Sequence, residues 1–234
     1  MKKNLHLLLI SLTLFLTFLP LTLQAADLNA GATAWYTAWD CMLDDEADVE
    51  YNPSFLYGPV ISASFTQDLS MSFVFLYGKF NTDAEDSTGK ITRYDSDLTL
   101  NYRIGEWFKL FAGIKYIGFT WSEDGKHEAL GPGAGISAVI PVGGNFFVLG
   151  YLSGLYLEGN EKFTSYGETY NLEANEYGYN ASLSLAYYIS GTSTTISLGG
   201  RFQQLRINYD EADAPDNTNR FYGATLTAVY SFNI

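Results

Sequence analysis

The residues best equipped for chemistry are charged and confined to a few short stretches. Asp95-Ser-Asp97 sets two carboxylates two residues apart, with Arg93 before them and Arg103 after them. Residues two apart in an extended strand share a face, so Arg93, Asp95, Asp97 and Arg103 project together with Thr99 and Asn101. The next stretch puts Lys109, Gly113 and Lys115 on a matching face, and Arg201 stands in a third. Two chemistries are open to such a set. Paired carboxylates can work as acid and base when a further group lies within hydrogen-bond reach. With Lys and Arg beside them they can instead neutralise one another as confined ion pairs. A hairpin turning at Gly105-Glu106 puts Lys115 opposite Ser96, between Asp95 and Asp97, which favours the second. The expected lumen network is therefore Arg93, Asp95, Asp97, Arg103, Lys115 and Arg201, with no catalytic residue among them.

The other reactive side chains give weaker patterns. His127 is the single histidine after residue 25, in Asp124-Gly-Lys-His127, and reads as a solvated loop residue. Cys41 is alone, so it can form no internal disulfide and carries no metal or redox motif. Asp44-Asp45-Glu46-Ala-Asp48 is the densest acidic cluster. Calcium and magnesium favour such oxygen ligands, but the spaced ligands and central glycine of an EF-hand loop are missing. The expectation is no metal and no cofactor. An extracellular ligand at the acidic outer loops stays open.

The elements that must position these groups show a rhythm. Ten stretches alternate apolar or aromatic residues with small or polar ones: 30–40, 53–66, 69–82, 90–104, 107–121, 128–141, 145–158, 174–190, 194–209 and 220–233. Tight turns at Thr66-Gln67-Asp68, Gly105-Glu106, Val142-Gly143-Gly144 and Gly191-Thr192-Ser193 alternate with longer polar segments at 41–52, 83–89, 122–127, 159–173 and 210–219. Side-chain alternation, an even strand count and short turns alternating with long loops are the pattern of a transmembrane antiparallel up-and-down β-barrel. The fold class is all-β. Tyr177, Tyr179, Ala181, Leu183, Leu185, Tyr187 and Ile189 form one lipid-facing set. The 30–40 stretch is ambiguous, with Tyr36 on one face and Trp35 and Trp39 on the other. The 194–209 stretch changes phase at Gln203-Gln204, which predicts a β-bulge there.

Residues 1–25 read as a cleaved signal peptide: Lys2 and Lys3, an apolar run from Leu7 to Leu23, then Gln24-Ala25-Ala26. Residues 26–234 form the barrel domain. Without Lys2 and Lys3, 11 of the 13 basic residues remain against 26 acidic ones, a net charge of −15. Nucleic acid is excluded as a natural partner, because phosphate binding needs clustered Lys and Arg. The 18 Tyr, 16 Phe and 4 Trp suit the aromatic girdles of a membrane barrel.

The run Leu226-Thr-Ala-Val-Tyr230-Ser-Phe232-Asn-Ile234 resembles the terminal strand of Gram-negative outer-membrane β-barrel proteins. The segments Tyr94-Asp95-Ser96-Asp97-Leu98 and Phe111-Ala112-Gly113-Ile114-Lys115-Tyr116 resemble a strand pair of small, poorly characterised members of that class. The resemblance implies residence in the cell outer membrane, insertion by the barrel assembly machinery, and contact with outer-membrane lipid and lipopolysaccharide. Omptin proteases are also ten-stranded and pair an Asp-x-Asp with an Asp-x-His. Asp95-Ser-Asp97 matches the first pair in form, and the second is missing. No His-x-Ser run points to a lipid A deacylase. The function expected is therefore non-enzymatic: a barrel with a side-chain-filled lumen in a structural or surface-binding role. The alternative is a narrow, porin-like selective channel for ions or small solutes. An omptin-type surface hydrolase ranks last.

Overall fold

The structure, a computed structural model, describes residues 27–44, 49–81, 90–121, 125–165, 167–211 and 215–232. The signal segment 1–25 and the acidic residues Asp45, Glu46, Asp48, Asp83, Glu85, Asp86 and Asp213 lie outside the described residues. Ten strands follow one another: β1 (Leu28–Leu43), β2 (Val49–Ser64), β3 (Leu69–Asn81), β4 (Lys90–Arg103), β5 (Phe108–Thr120), β6 (Lys126–Gly143), β7 (Phe146–Ser165), β8 (Glu168–Ile189), β9 (Thr194–Tyr209) and β10 (Asn217–Phe232). Each pairs with its neighbour in the chain, and β1 pairs antiparallel with β10 to close the barrel. The closing seam runs without a register shift from Leu28↔Phe232 to Leu43↔Asn217. Closure leaves no unpaired edge, the condition for a sheet to cross a bilayer. Among the described residues no helix is long and apolar enough to cross one.

The outer surface carries what a soluble protein would bury. Leu183, Leu198, Phe55, Tyr57 and Leu226 are each more than half exposed, at 65%, 62%, 57%, 57% and 52%. A continuous band of this kind is a lipid-facing surface. Towards the end of the barrel away from the short turns, the outward residues become polar: Asp40 on β1, Glu128 on β6, Glu158 on β7, Arg206 on β9 and Arg220 on β10. The inward residues at that level turn apolar, with Leu157, Leu205, Ile207 and Phe221 buried.

This inversion accounts for three departures from the sequence reading. In β9 the register is continuous with both β8 and β10, so there is no bulge at Gln203-Gln204. The strand leaves the lipid there, and hydrophobic residues move from the outer face to the inner one without any change in backbone. The segment 159–173 is not a loop, because β7 and β8 stay paired up to Ser165↔Glu168. Likewise β1 and β2 remain paired as far as Cys41↔Val49. Beyond the membrane a strand with polar residues outward resembles a loop in sequence. The ambiguity of β1 also resolves: Tyr36 faces out and Trp35 and Trp39 face in. Register shifts do occur, between Thr37 and Trp39 against β2 and between Pro141 and Gly143 against β7.

The boundary is testable with paired substitutions. Leu198→Arg, in the apolar band, should destabilise the folded barrel by about 2–4 kcal/mol, whereas Glu158→Arg, beyond it, should cost no more than about 1 kcal/mol. Urea titration in detergent or lipid measures both. Equal costs would remove the boundary drawn at Glu158.

Candidate functional site

The site begins with a turn. The Ile104 N–H donates to the Phe108 carbonyl at 2.9 Å, which leaves Gly105, Glu106 and Trp107 as a three-residue connection. Gly105 takes φ +111°, a left-handed value that a side chain would oppose. One residue more than the expected turn shifts the pairing of β4 with β5 by one, to Asp97↔Lys115. Directly paired residues share a face of the sheet. The register seen is thus the one that lets Lys115 and both carboxylates point into the lumen together.

There Lys115 Nζ bonds to Asp95 Oδ1 and lies 2.8 Å from Asp97 Oδ2. Arg93 Nη2 donates to Asp95 Oδ2 at 2.8 Å and to Gln203 Oε1 at 2.6 Å. Arg201 Nη2 stands 3.7 Å from Asp95 and 3.9 Å from Asp97, while its Nε donates to Asn180 at 3.2 Å. Asp95 and Arg93 have no exposed side-chain surface. The set draws on β4, β5, β8 and β9 and bridges the lumen. Arg103 is not part of it. It sits exposed at the short-turn end, opposite Lys109.

Aromatic rings pack against the network. The Arg93 guanidinium lies 3.6 Å from the Phe221 ring centroid and 5.5 Å from that of Phe119, and Arg201 lies 4.5 Å from that of Trp35. Such contacts stabilise a cation that has lost its water. Trp39 stacks on Phe119 and Phe221 at 5.1 and 5.3 Å, completing a buried layer on the side away from the short turns.

Beyond that layer opens a cavity of about 770 Å³. Its walls are largely aromatic, with Tyr51, Trp121, Phe163 and Tyr170 joining Trp39 and Phe119, and one wall is polar. His127 is the centre of that wall. It is buried, not solvated, which corrects the loop reading. Its Nε2 meets Glu176 Oε1 at 2.6 Å, and its Nδ1 lies 3.5 Å from Glu161 Oε2. Tyr209 donates its hydroxyl to Glu161 at 2.5 Å, and a chain through Asn217 and Asn219 ends at the Trp39 indole N–H. Gly159 makes this possible, since a Cβ there would stand 2.5 Å from Glu176 Oε1. Burial alone would lower the His127 pKa, but the two carboxylates outweigh it and hold the ring protonated, pushing it up to about 9. Burial would raise Glu161, but His127 and Tyr209 hold it below the usual carboxylate range. Burial and the Glu161 charge raise the Tyr209 phenol.

The structure therefore brings Asp95 and Asp97 together with cations and not with the histidine. His127 pairs in register with Phe119, whose ring separates it from Arg93. Among the described residues no three His, Cys, Asp or Glu side chains gather as a metal site. Asp44, the described member of the acidic cluster, is held by Arg206 at 2.7 Å.

The barrel is similar in structure to the outer membrane protease OmpT from Escherichia coli, with a TM-score of 0.67 at 10% identity over 90% of this chain and 98% of that one. The fold is that of an outer-membrane β-barrel. At this identity the likeness is one of fold alone. Other similar structures are outer membrane protein AlkL in DMPC bilayers (TM-score 0.45, 9% identity, 90% and 92% coverage) and the attachment invasion locus protein Ail of Yersinia pestis (0.35, 14%, 87% and 98%). No protein-family model and no curated protein sequence matches the chain.

Two measurements address the site. Lys115→Met leaves Asp95 short of a partner, and breaking a fully buried pair typically costs about 3–5 kcal/mol. Urea unfolding should show a large loss that Asp95→Asn and Asp97→Asn partly recover in the same chain, while Arg103→Met should be near neutral. No coupling between Lys115 and the two aspartates would dissolve the network. For His127, a folded pKa of about 9 against an ordinary 6.5 means its contribution is complete below about pH 6.5 and is lost as pH rises through 9. The unfolding midpoint of wild type should fall over that window relative to His127→Gln. Parallel pH profiles would show that the ring is neutral in the folded barrel.

Proposed function

We propose that this outer-membrane barrel is a plugged, non-enzymatic protein whose working surface is its outer mouth. The observation that carries this is the two-layer closure of the lumen: ion pairs across β4, β5 and β9, then the Trp39–Phe119–Phe221 stack. Ten-stranded barrels are small enough for side chains to fill, unlike the wide porins. Short turns face the periplasm in such barrels, so the cavity of about 770 Å³ opens to the exterior. Its size and aromatic lining match those of small-ligand sites.

The same geometry supports a role other than hydrolysis. Both oxygens of Asp95 are bonded to cations, and Asp97 to Lys115. These carboxylates serve as acceptors for Arg93 and Lys115, and the histidine that could join them in acid–base work lies beyond the Phe119 ring. Insertion by the barrel assembly machinery and lipopolysaccharide around the outer rim belong to the same reading.

A second reading, a narrow selective channel, is favoured by one observation. The lumen towards the short turns carries Lys109, Arg103, Lys115 and Arg201. Planar-bilayer recording decides between them. Wild type should give no discrete steps, and Lys115→Met should give small ones or flicker. Regular steps from wild type would make it a channel.

A further inference from the structure

The plug holds several buried donors that its own acceptors do not meet. Trp35 Nε1, Arg93 Nε and Nη1, Arg201 Nη2 and Gln203 Nε2 are all buried and lack a protein hydrogen-bond partner. They are neighbours: both guanidinium carbons lie within 5.6 Å of the Trp35 ring centroid, and Arg93 is bonded to Gln203. Every one of these five atoms is an N–H. Buried donors without acceptors are rare and costly in folded proteins.

The charges are unbalanced in the same direction. At this level Arg93, Lys115 and Arg201 face Asp95 and Asp97, three cations against two anions. The inward residues on the other strands here are uncharged: Trp35 on β1, Leu56 on β2, Leu76 on β3, Ala129 on β6, Leu155 on β7, Asn180 on β8 and Phe221 on β10. The next carboxylate towards the mouth, Glu176, is already paired with His127.

We propose that the plug binds one small monovalent anion, chloride, between Arg93, Arg201, Trp35 and Gln203. A single negative charge balances the network. A spherical acceptor suits donors of three kinds, since it imposes no lone-pair direction. Water could accept some of these hydrogen bonds but would leave the charge uncompensated.

A separate feature of the short-turn end points the same way. Arg103 and Lys109 lie directly opposite one another on β4 and β5, a like-charge pair open to solvent on the Arg103 side. With Glu106, Phe147 and Pro141 they line a cavity of about 380 Å³. Two cations against the one carboxylate of Glu106 leave this entrance net positive, and a cleft of one net sign draws in ions of the other. Asp97 and Arg201 keep 16% and 11% of their side-chain surface exposed, so the plug is not sealed from solvent.

The test uses the folded full-length mature barrel in a neutral detergent. Urea midpoints are measured while chloride replaces gluconate at constant ionic strength. The midpoint should rise with chloride and then saturate, as a site does, unlike a general salt effect. Gln203→Glu keeps the acceptor used by Arg93 and puts a fixed carboxylate where the anion would sit. It should fold and lose the chloride dependence. Arg201→Gln should lose it as well, and Arg103→Gln should keep it. Crystals grown in bromide should show one anomalous peak among Trp35, Arg93, Arg201 and Gln203. A midpoint indifferent to chloride, a dependence that survives unchanged in Gln203→Glu, or a bromide map without that peak would overturn the proposal and leave water as the occupant.

Discussion

Asp95 is a carboxylate with no exposed surface inside a transmembrane barrel. An isolated charge in such a place is prohibitively unfavourable, so the surrounding structure has to answer it. Arg93 takes one oxygen, Lys115 the other, and Arg201 stands close by. Each partner brings its own demands. Lys115 requires the even register of β4 and β5, and that register requires the three-residue turn opened by Gly105. Arg93 requires a polar acceptor from the far wall, supplied by Gln203, and a ring to lie on, supplied by Phe221. The strands that make up the barrel are thus tied across the lumen as well as around it. A ladder of backbone hydrogen bonds can slip in steps of two, but a network fixed to particular side chains on four strands cannot.

The fold was legible because lipid enforces alternation. Where β8, β9 and β10 cross the membrane, the outward residues are apolar and the inward ones small or polar, and the ten strands can be read directly. Legibility failed where the solvent on the outer face changes from lipid to water. From Gln204 onwards in β9 the apolar residues Leu205 and Ile207 are inside. A single hydrophobicity period then appears to break although the backbone continues. The same cause turned the paired ends of β7 and β8 into an apparent loop. Carrying both signs of alternation along one strand would have extended the predicted elements.

The site was legible in part, for an equally physical reason. Parity along β4 places Arg93, Asp95 and Asp97 on one face from the sequence alone, and five of the six residues of the expected network do meet. Arg103 shares that parity but lies at the end of the strand, where solvent removes any need for a partner. The second cluster was hidden. His127, Glu161, Glu176 and Tyr209 belong to four strands, β6 to β9, and their contacts depend on pairings such as His127↔Glu161 that need the full register. The one available signal was the inward parity of Glu161 and Glu176, charged residues on the face that turns apolar beyond the membrane.

The two clusters make the lumen electrically polar along its length. The plug carries one more cation than anion, and the wall of the outer mouth holds Glu161 and Glu176 against His127 alone. Between them stands Phe119, in contact with Arg93 on one side and His127 on the other. The Phe119 ring offers no strong hydrogen-bonding group, so each cluster has to complete its hydrogen bonds on its own side. His127 stays protonated although buried because Glu161 and Glu176 outweigh the cost of burial. The ring between the clusters explains why the mouth and the plug can be altered separately. A ligand entering the outer cavity meets the aromatic walls and Glu161, while the charge state of Asp95 is set below the ring layer. A surface role for the mouth and a structural role for the plug are therefore compatible in one small barrel, because the aromatic layer keeps their hydrogen-bond networks apart.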